Sequence, residues 1–132
     1  PPPLLAEAER ILFSLEAGRP SPGASPPLQA LFRDSVQPYL ISWFRYDPAA
    51  ELAKHALPTL VLQGTTDLQI TVGDAQRLAA ARDGIRLRLV DGMNHMLKPA
   101  PAEPFANFAT YNEPDLPVSA DLVDAIAGFV RP

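Results

Sequence analysis

Cysteine is absent from the 132 residues of this chain. That excludes a disulfide, a thiolate metal site and a cysteine nucleophile. Histidine is nearly as scarce, with only His55 and His95. No cluster of metal-ligating residues and no glycine-rich phosphate loop can be found, so no metal and no cofactor is expected. No apolar run approaches the roughly 20 residues that span a bilayer, so no integral membrane segment is expected either. Basic charge is in deficit: 15 Asp and Glu stand against 11 Lys and Arg, for a net charge of −4. A surface that binds phosphates needs the opposite balance, which argues against nucleic acid as a partner. There is no initiator methionine before Pro1-Pro2-Pro3, so the true N-terminus is expected upstream. No signal peptide is visible, and a cytoplasmic location is expected.

What the chain does contain is enough for a core: 47% of residues are hydrophobic and 20% charged. One small domain, or part of a larger one, fits that length. Proline is over-supplied, at 16 residues. The prolines gather in 20–27 and 98–117, which the sequence alone assigns to long loops, the second running to about residue 117. Leu4, Leu5, Ala8, Ile11, Leu12 and Leu15 recur at helical spacing and predict a helix over 3–17, ended by Gly18. Leu28, Leu31 and Phe32 suggest a short helix at 27–33. Val36, Tyr39, Leu40, Trp43 and Phe44 form another apolar stripe, predicting a helix at 36–45 with Ser35 as its cap and Pro38 in its first turn. Asp47 and Pro48 open a further short helix at 48–55.

From Pro58 the pattern changes. "TLVLQ", 59–63, is a continuous apolar run between Pro58 and Gly64, the signature of a strand covered on both faces. Thr71 and Asp74 cap a helix over 72–82, with Val72, Ala75, Leu78 and Ala79 on one side. "IRLRLV", 85–90, alternates apolar residues with Arg86 and Arg88, as an edge strand with one solvated face would. Val118, Leu122, Ile126, Phe129 and Val130 give a last helix, capped by Ser119. Strands alternating with helices imply an α/β fold with a parallel sheet.

In open parallel sheets, functional groups gather beyond the carboxyl ends of the strands. Two loops qualify. "GTTDLQI" follows the first strand and carries Asp67; "DGMNHMLK" follows the second and carries His95. The 28 positions between them leave room for one helix and one returning strand. A carboxylate beside an imidazole fixes its tautomer and stabilises the imidazolium. Each residue also has a plainer use: Asp67 in turn chemistry, His95 as a loop residue capping a backbone group. Asp91 and Asp74 compete with Asp67 for the acid role, although Asp74 suits the first turn of a helix better. His55 reads as a solvated residue near a helix end, and Lys98 as solvated or attracting an anionic substrate group. Tyr39, Trp43 and Phe44 read as core, with the lining of a ligand pocket as the alternative. Asn94 and Asn112 read only as polar loop residues.

"PTLVLQGTTDLQI" followed by "LVDGMNHMLK" resembles the C-terminal part of the α/β-hydrolase superfamily, over about 57–98. "SVQPYLISWFRYDPAAEL" is similar, more weakly, to the segment before the acid strand in bacterial lysophospholipase-like or serine-aminopeptidase-like members. The resemblance implies a partial α/β-hydrolase fold: a helical cap or lid remnant at 1–46, then at 47–132 the last two parallel strands and their helices. It implies Asp67 as the triad acid and His95 as the general base. It also implies a small-molecule acyl substrate cleaved at an ester, thioester or amide. The nucleophile of that family is a serine in a G-x-S-x-G turn. Ser14, Ser21, Ser25, Ser35, Ser42 and Ser119 all lack that setting, so the nucleophile is expected upstream and the chain alone is expected to be inactive. A non-catalytic α/β interaction module is the rival reading. An interior-type strand with one neighbour also leads us to expect a homo-oligomer joined through strand 59–63.

Overall fold

The computed structural model describes residues 2–131. The chain forms two compact units, Pro1–Asp47 and Pro48–Pro132.

The first unit is helical. Helix α1 (Pro2–Glu16) buries Ile11 and Leu15, one turn apart on the same face. A 3₁₀ turn (Pro26–Leu28) leads directly into α2 (Gln29–Phe32), so the single short helix expected there is split. Helix α3 spans Gln37–Trp43 with Pro38 in its first turn. Its N-cap is Val36, not Ser35, because the backbone of 33–37 is already turning: Val36 N–H donates to Arg33 O and Gln37 N–H to Asp34 O. The α3 stripe is also corrected. Gln37 and Ile41 are buried, whereas Tyr39 and Trp43 are 53% and 58% exposed and lie against each other, their rings tilted by 47° with centroids 4.6 Å apart. Neither aromatic is core. The core is Ile11, Leu15, Ala24, Leu28, Phe32 and Ile41. The proline-rich loop over it is held by Gln37, whose Oε1 accepts from Ser21 N–H at 2.7 Å while Nε2 donates to Ser21 O and Phe32 O, each at 2.8 Å.

The second unit is mixed α/β. Helix α4 (Pro48–Ala53) is followed by strand β1 (Thr59–Gly64), helix α5 (Val72–Ala79), strand β2 (Ile85–Val90), helix α6 (Pro104–Ala109) and helix α7 (Ala120–Val130). The strands pair in parallel, in register from Thr59↔Ile85 to Gly64↔Val90. Helix α5 packs against both. It begins with a reciprocal capping box: Thr71 Oγ1 accepts from Asp74 N–H and the Asp74 carboxylate accepts from Thr71 N–H. Beyond its C-terminal end, Arg82 donates to Leu57 O and to Thr59 Oγ1, tying α5 to the start of β1. The face of β2 bearing Arg86 and Arg88 is not simply solvated. Leu122 of α7 clusters with Val90, Met93 and Leu62, and the Arg86 guanidinium lies 5.7 Å from the Phe129 ring centroid. Among the described residues, the other edge of β1 pairs with no strand, and no helix is long and apolar enough to cross a membrane.

The stretch 98–117 is not one long loop. Pro104 starts α6 instead of breaking structure, since a first-turn position needs no N–H. The Glu103 carboxylate caps it, accepting from Phe105 N–H at 3.0 Å and Ala106 N–H at 2.7 Å. A 3₁₀ turn (Thr110–Asn112) extends the helix. Ser119 does precede α7, but its side chain makes no cap bond.

Candidate active site

Strands β1 and β2 end side by side, and the two loops beyond them are sewn together. Thr65 N–H donates to Val90 O and Thr66 N–H to Met93 O, at 3.0 and 3.2 Å. Thr65 Oγ1 donates to the Asp91 carboxylate and accepts from Gly92 N–H, both at 2.9 Å. Asp91 is therefore engaged with the first loop's threonine, and Asp74 with its capping box. Gly64 is required by space: a Cβ there would lie 1.9 Å from Met93 O.

Asp67 stands in the first loop with its side chain only 8% exposed. Its Oδ1 accepts from Gln69 N–H at 2.8 Å and Ile70 N–H at 3.0 Å. Its Oδ2 accepts from Gln63 Nε2 at 3.2 Å and lies 3.0 Å from His95 Nδ1. Burial pushes the carboxyl up, but the bonds from Ile70, Gln69, His95 and Gln63 together prevail and hold it below its ordinary value of 3.8. It is an anion at neutral pH. An ionised carboxylate only accepts, so His95 Nδ1 must carry the proton of that bond. The His95 ring is 39% exposed, and its Nε2 makes no hydrogen bond among the described residues.

The loop that carries His95 is organised by Asn94. Asn94 N–H donates to Lys98 O, and its C=O accepts from Leu97 N–H, both at 2.9 Å. Its Oδ1 accepts from Met96 N–H at 3.0 Å and Lys98 N–H at 3.1 Å. The turn is tight enough that Leu97 adopts φ 62°, a conformation unusual for a branched side chain. Asn94 Nδ2 donates to Thr110 Oγ1 at 2.7 Å, and that hydroxyl donates to Asn107 O at 2.7 Å. Asn107, fully buried, reaches back through Nδ2 to Thr66 O at 2.9 Å and Pro101 O at 2.8 Å. Helix α6 and its 3₁₀ extension thus brace both loops at once. Asn94 is more than a polar loop residue, and Asn107, Thr110 and Gln63 are members of the site that the sequence reading misses. The signal for α6 is Glu103-Pro104, an acidic cap before a first-turn proline. Gln63 announces itself as the one amide in an apolar strand.

Lys98 is half-buried and is held in the site by its backbone partners: its Nζ donates to Thr110 O at 3.2 Å and Glu113 O at 2.5 Å. His55 is exposed past the end of α4. Asn112 closes the 3₁₀ turn. Ser119 is the one serine of this unit; it is buried before α7, and its N–H donates to Leu97 O at 2.8 Å. Among the described residues, no group of three or more His, Cys, Asp or Glu side chains could hold a metal ion. Compared with known proteins, the chain matches no family, no curated relative and no solved structure.

Proposed function

We propose that this chain is the acid- and histidine-bearing portion of a serine hydrolase of the α/β-hydrolase type, cleaving an ester, thioester or amide by acyl transfer. The observation that carries the reading is the 3.0 Å contact between His95 Nδ1 and Asp67 Oδ2, made at neighbouring carboxyl ends of two parallel strands. In this reading His95 Nε2 takes the proton of a serine hydroxyl as its oxygen attacks the acyl carbon. Asp67 keeps Nδ1 protonated and stabilises the imidazolium. The same proton passes to the departing alcohol, thiol or amine, and water repeats the sequence to release the acid. In this reading the nucleophile and oxyanion donors lie outside these 132 residues, since none of the six serines has glycines two positions away on both sides.

Hydrolysis of a 4-nitrophenyl ester tests this. The 132-residue chain should show no turnover above buffer. In the polypeptide that includes the nucleophile, His95→Ala should lower kcat by about four orders of magnitude and Asp67→Asn somewhat less. Steady turnover by the chain alone, abolished by replacing one of its own serines, would overturn the reading. So would full activity after His95→Ala.

A further inference from the structure

We infer that Gln63 is a positioning residue for the Asp67–His95 pair: its buried amide fixes the carboxylate oxygen that His95 meets, and so selects the imidazole tautomer. The inference rests on the function proposed above. Gln63 lies on β1, between apolar residues and Gly64, and is 7% exposed. An amide buried there without partners would be costly to keep. Its Nε2 has three acceptors in reach of its two hydrogens, one of them shared: Gly64 O at 3.1 Å, Asp67 Oδ2 at 3.2 Å and Ile70 O at 3.1 Å. All three are acceptors, so the nitrogen must face them and the oxygen must face away, which fixes the amide's orientation.

The consequence lies in how the four acceptor positions of Asp67 are filled. Oδ1 is held by two backbone N–H groups of its own loop. Oδ2 has Gln63 on one side and His95 on the other. Three of the four donors therefore sit on strand or loop backbone or on a buried side chain, and only the His95 ring can swing. Those three prevent the carboxylate from rotating and leave a single direction open for Nδ1–H. By also reaching Ile70 O, Gln63 closes the loop around Asp67 from the strand side. Without that amide, Oδ2 has a position free for water, and water then competes with the ring.

The test is nuclear magnetic resonance of the whole chain, labelled with ¹⁵N. In the native protein His95 should show the Nδ1–H tautomer, with a low-field Nδ1 proton, and the two Gln63 amide protons should be resolved and protected from exchange. Gln63→Met, close in shape and without a donor, should speed exchange of the Nδ1 proton roughly tenfold and mix the tautomers. Gln37→Met removes an equally buried amide from the helical unit and controls for lost stability: it should leave the His95 signals unchanged. If native His95 is already a tautomer mixture, the hydrolase reading fails. If native His95 is pure Nδ1–H and Gln63→Met leaves it so, Gln63 is only structural and this inference fails. Should Gln63→Met not fold, the native Gln63 amide protons decide: exchange as fast as in a solvated glutamine would overturn the role.

Discussion

Gly64→Ala is the sharpest single perturbation of the loop junction. Gly64 has an ordinary extended backbone, so alanine carries no conformational penalty there. The cost is spatial. The new Cβ would sit 1.9 Å from Met93 O and 2.6 Å from Met93 C. To reach an ordinary 3.4 Å contact, the two backbones must part by about 1.5 Å, and backbone yields less readily than a flexible side chain. That movement is large enough to break the 3.2 Å bond from Thr66 N–H to Met93 O and to draw the His95 loop away from Asp67. We expect a loss of about 3 kcal/mol or more, above the usual range for an added methylene because both partners are main chain. Gly92→Ala is the matched comparison. Gly92 has φ +64° and nothing within 4 Å of its Cβ position, so only the left-handed backbone is penalised, by about 1–2 kcal/mol. Urea unfolding followed by exchange of the β2 amides measures both. A Gly64→Ala chain within about 0.5 kcal/mol of the native protein, the error of such measurements, or one less destabilised than Gly92→Ala, would refute the steric account.

Three further outcomes follow from the same contacts. Asp67 is held below its ordinary value, so its contribution to stability is fully present above about pH 4 and is lost as pH falls through its folded value; Asp67→Asn should flatten that acid limb, and an unchanged pH–stability curve would contradict it. Asn94→Ala removes two bonds inside the His95 turn and one to Thr110, and should cost about 2–3 kcal/mol with faster exchange at Met96 and Lys98 N–H, read by hydrogen exchange. The open edge of β1 should pair with a second copy of the chain; sedimentation at micromolar concentration checks this, and a clean monomer would sink it.

The two strands are legible in the sequence because one is a continuous apolar run and the other alternates apolar residues with arginine, each with a hard stop, Pro58 and Gly64 around the first, Gly84 and Asp91 around the second. Helix α5 is legible because Thr71 and Asp74 form a cap recognisable from spacing alone. Asp67 and His95 can be singled out because a parallel sheet delivers strand ends to one side. Helix α6 is not legible by proline count, since proline both starts helices and ends them, and only the carboxylate of Glu103 decides which. The burial of Tyr39 and Trp43 is misread because helical spacing gives a stripe but not its direction, and the polar Gln37 takes the buried place beside Ile41. The brace through Asn107 and Thr110 is invisible for another reason: it is made of contacts up to 41 positions apart, between residues ordinary for loops.

That spacing has a consequence during synthesis. Gln63, Gln69 and Ile70, the donors that set the Asp67 carboxylate besides His95, all lie within four positions of it. His95 follows 28 positions later, and Asn107 reaches Thr66 only across 41. At about 5–20 residues per second, the 28 positions to His95 take about one to six seconds of translation. Closure of a short loop takes about 10–100 ns. The acid loop can therefore take its shape on the ribosome long before an imidazole exists for it to hold, and the histidine arrives at a carboxylate already aimed.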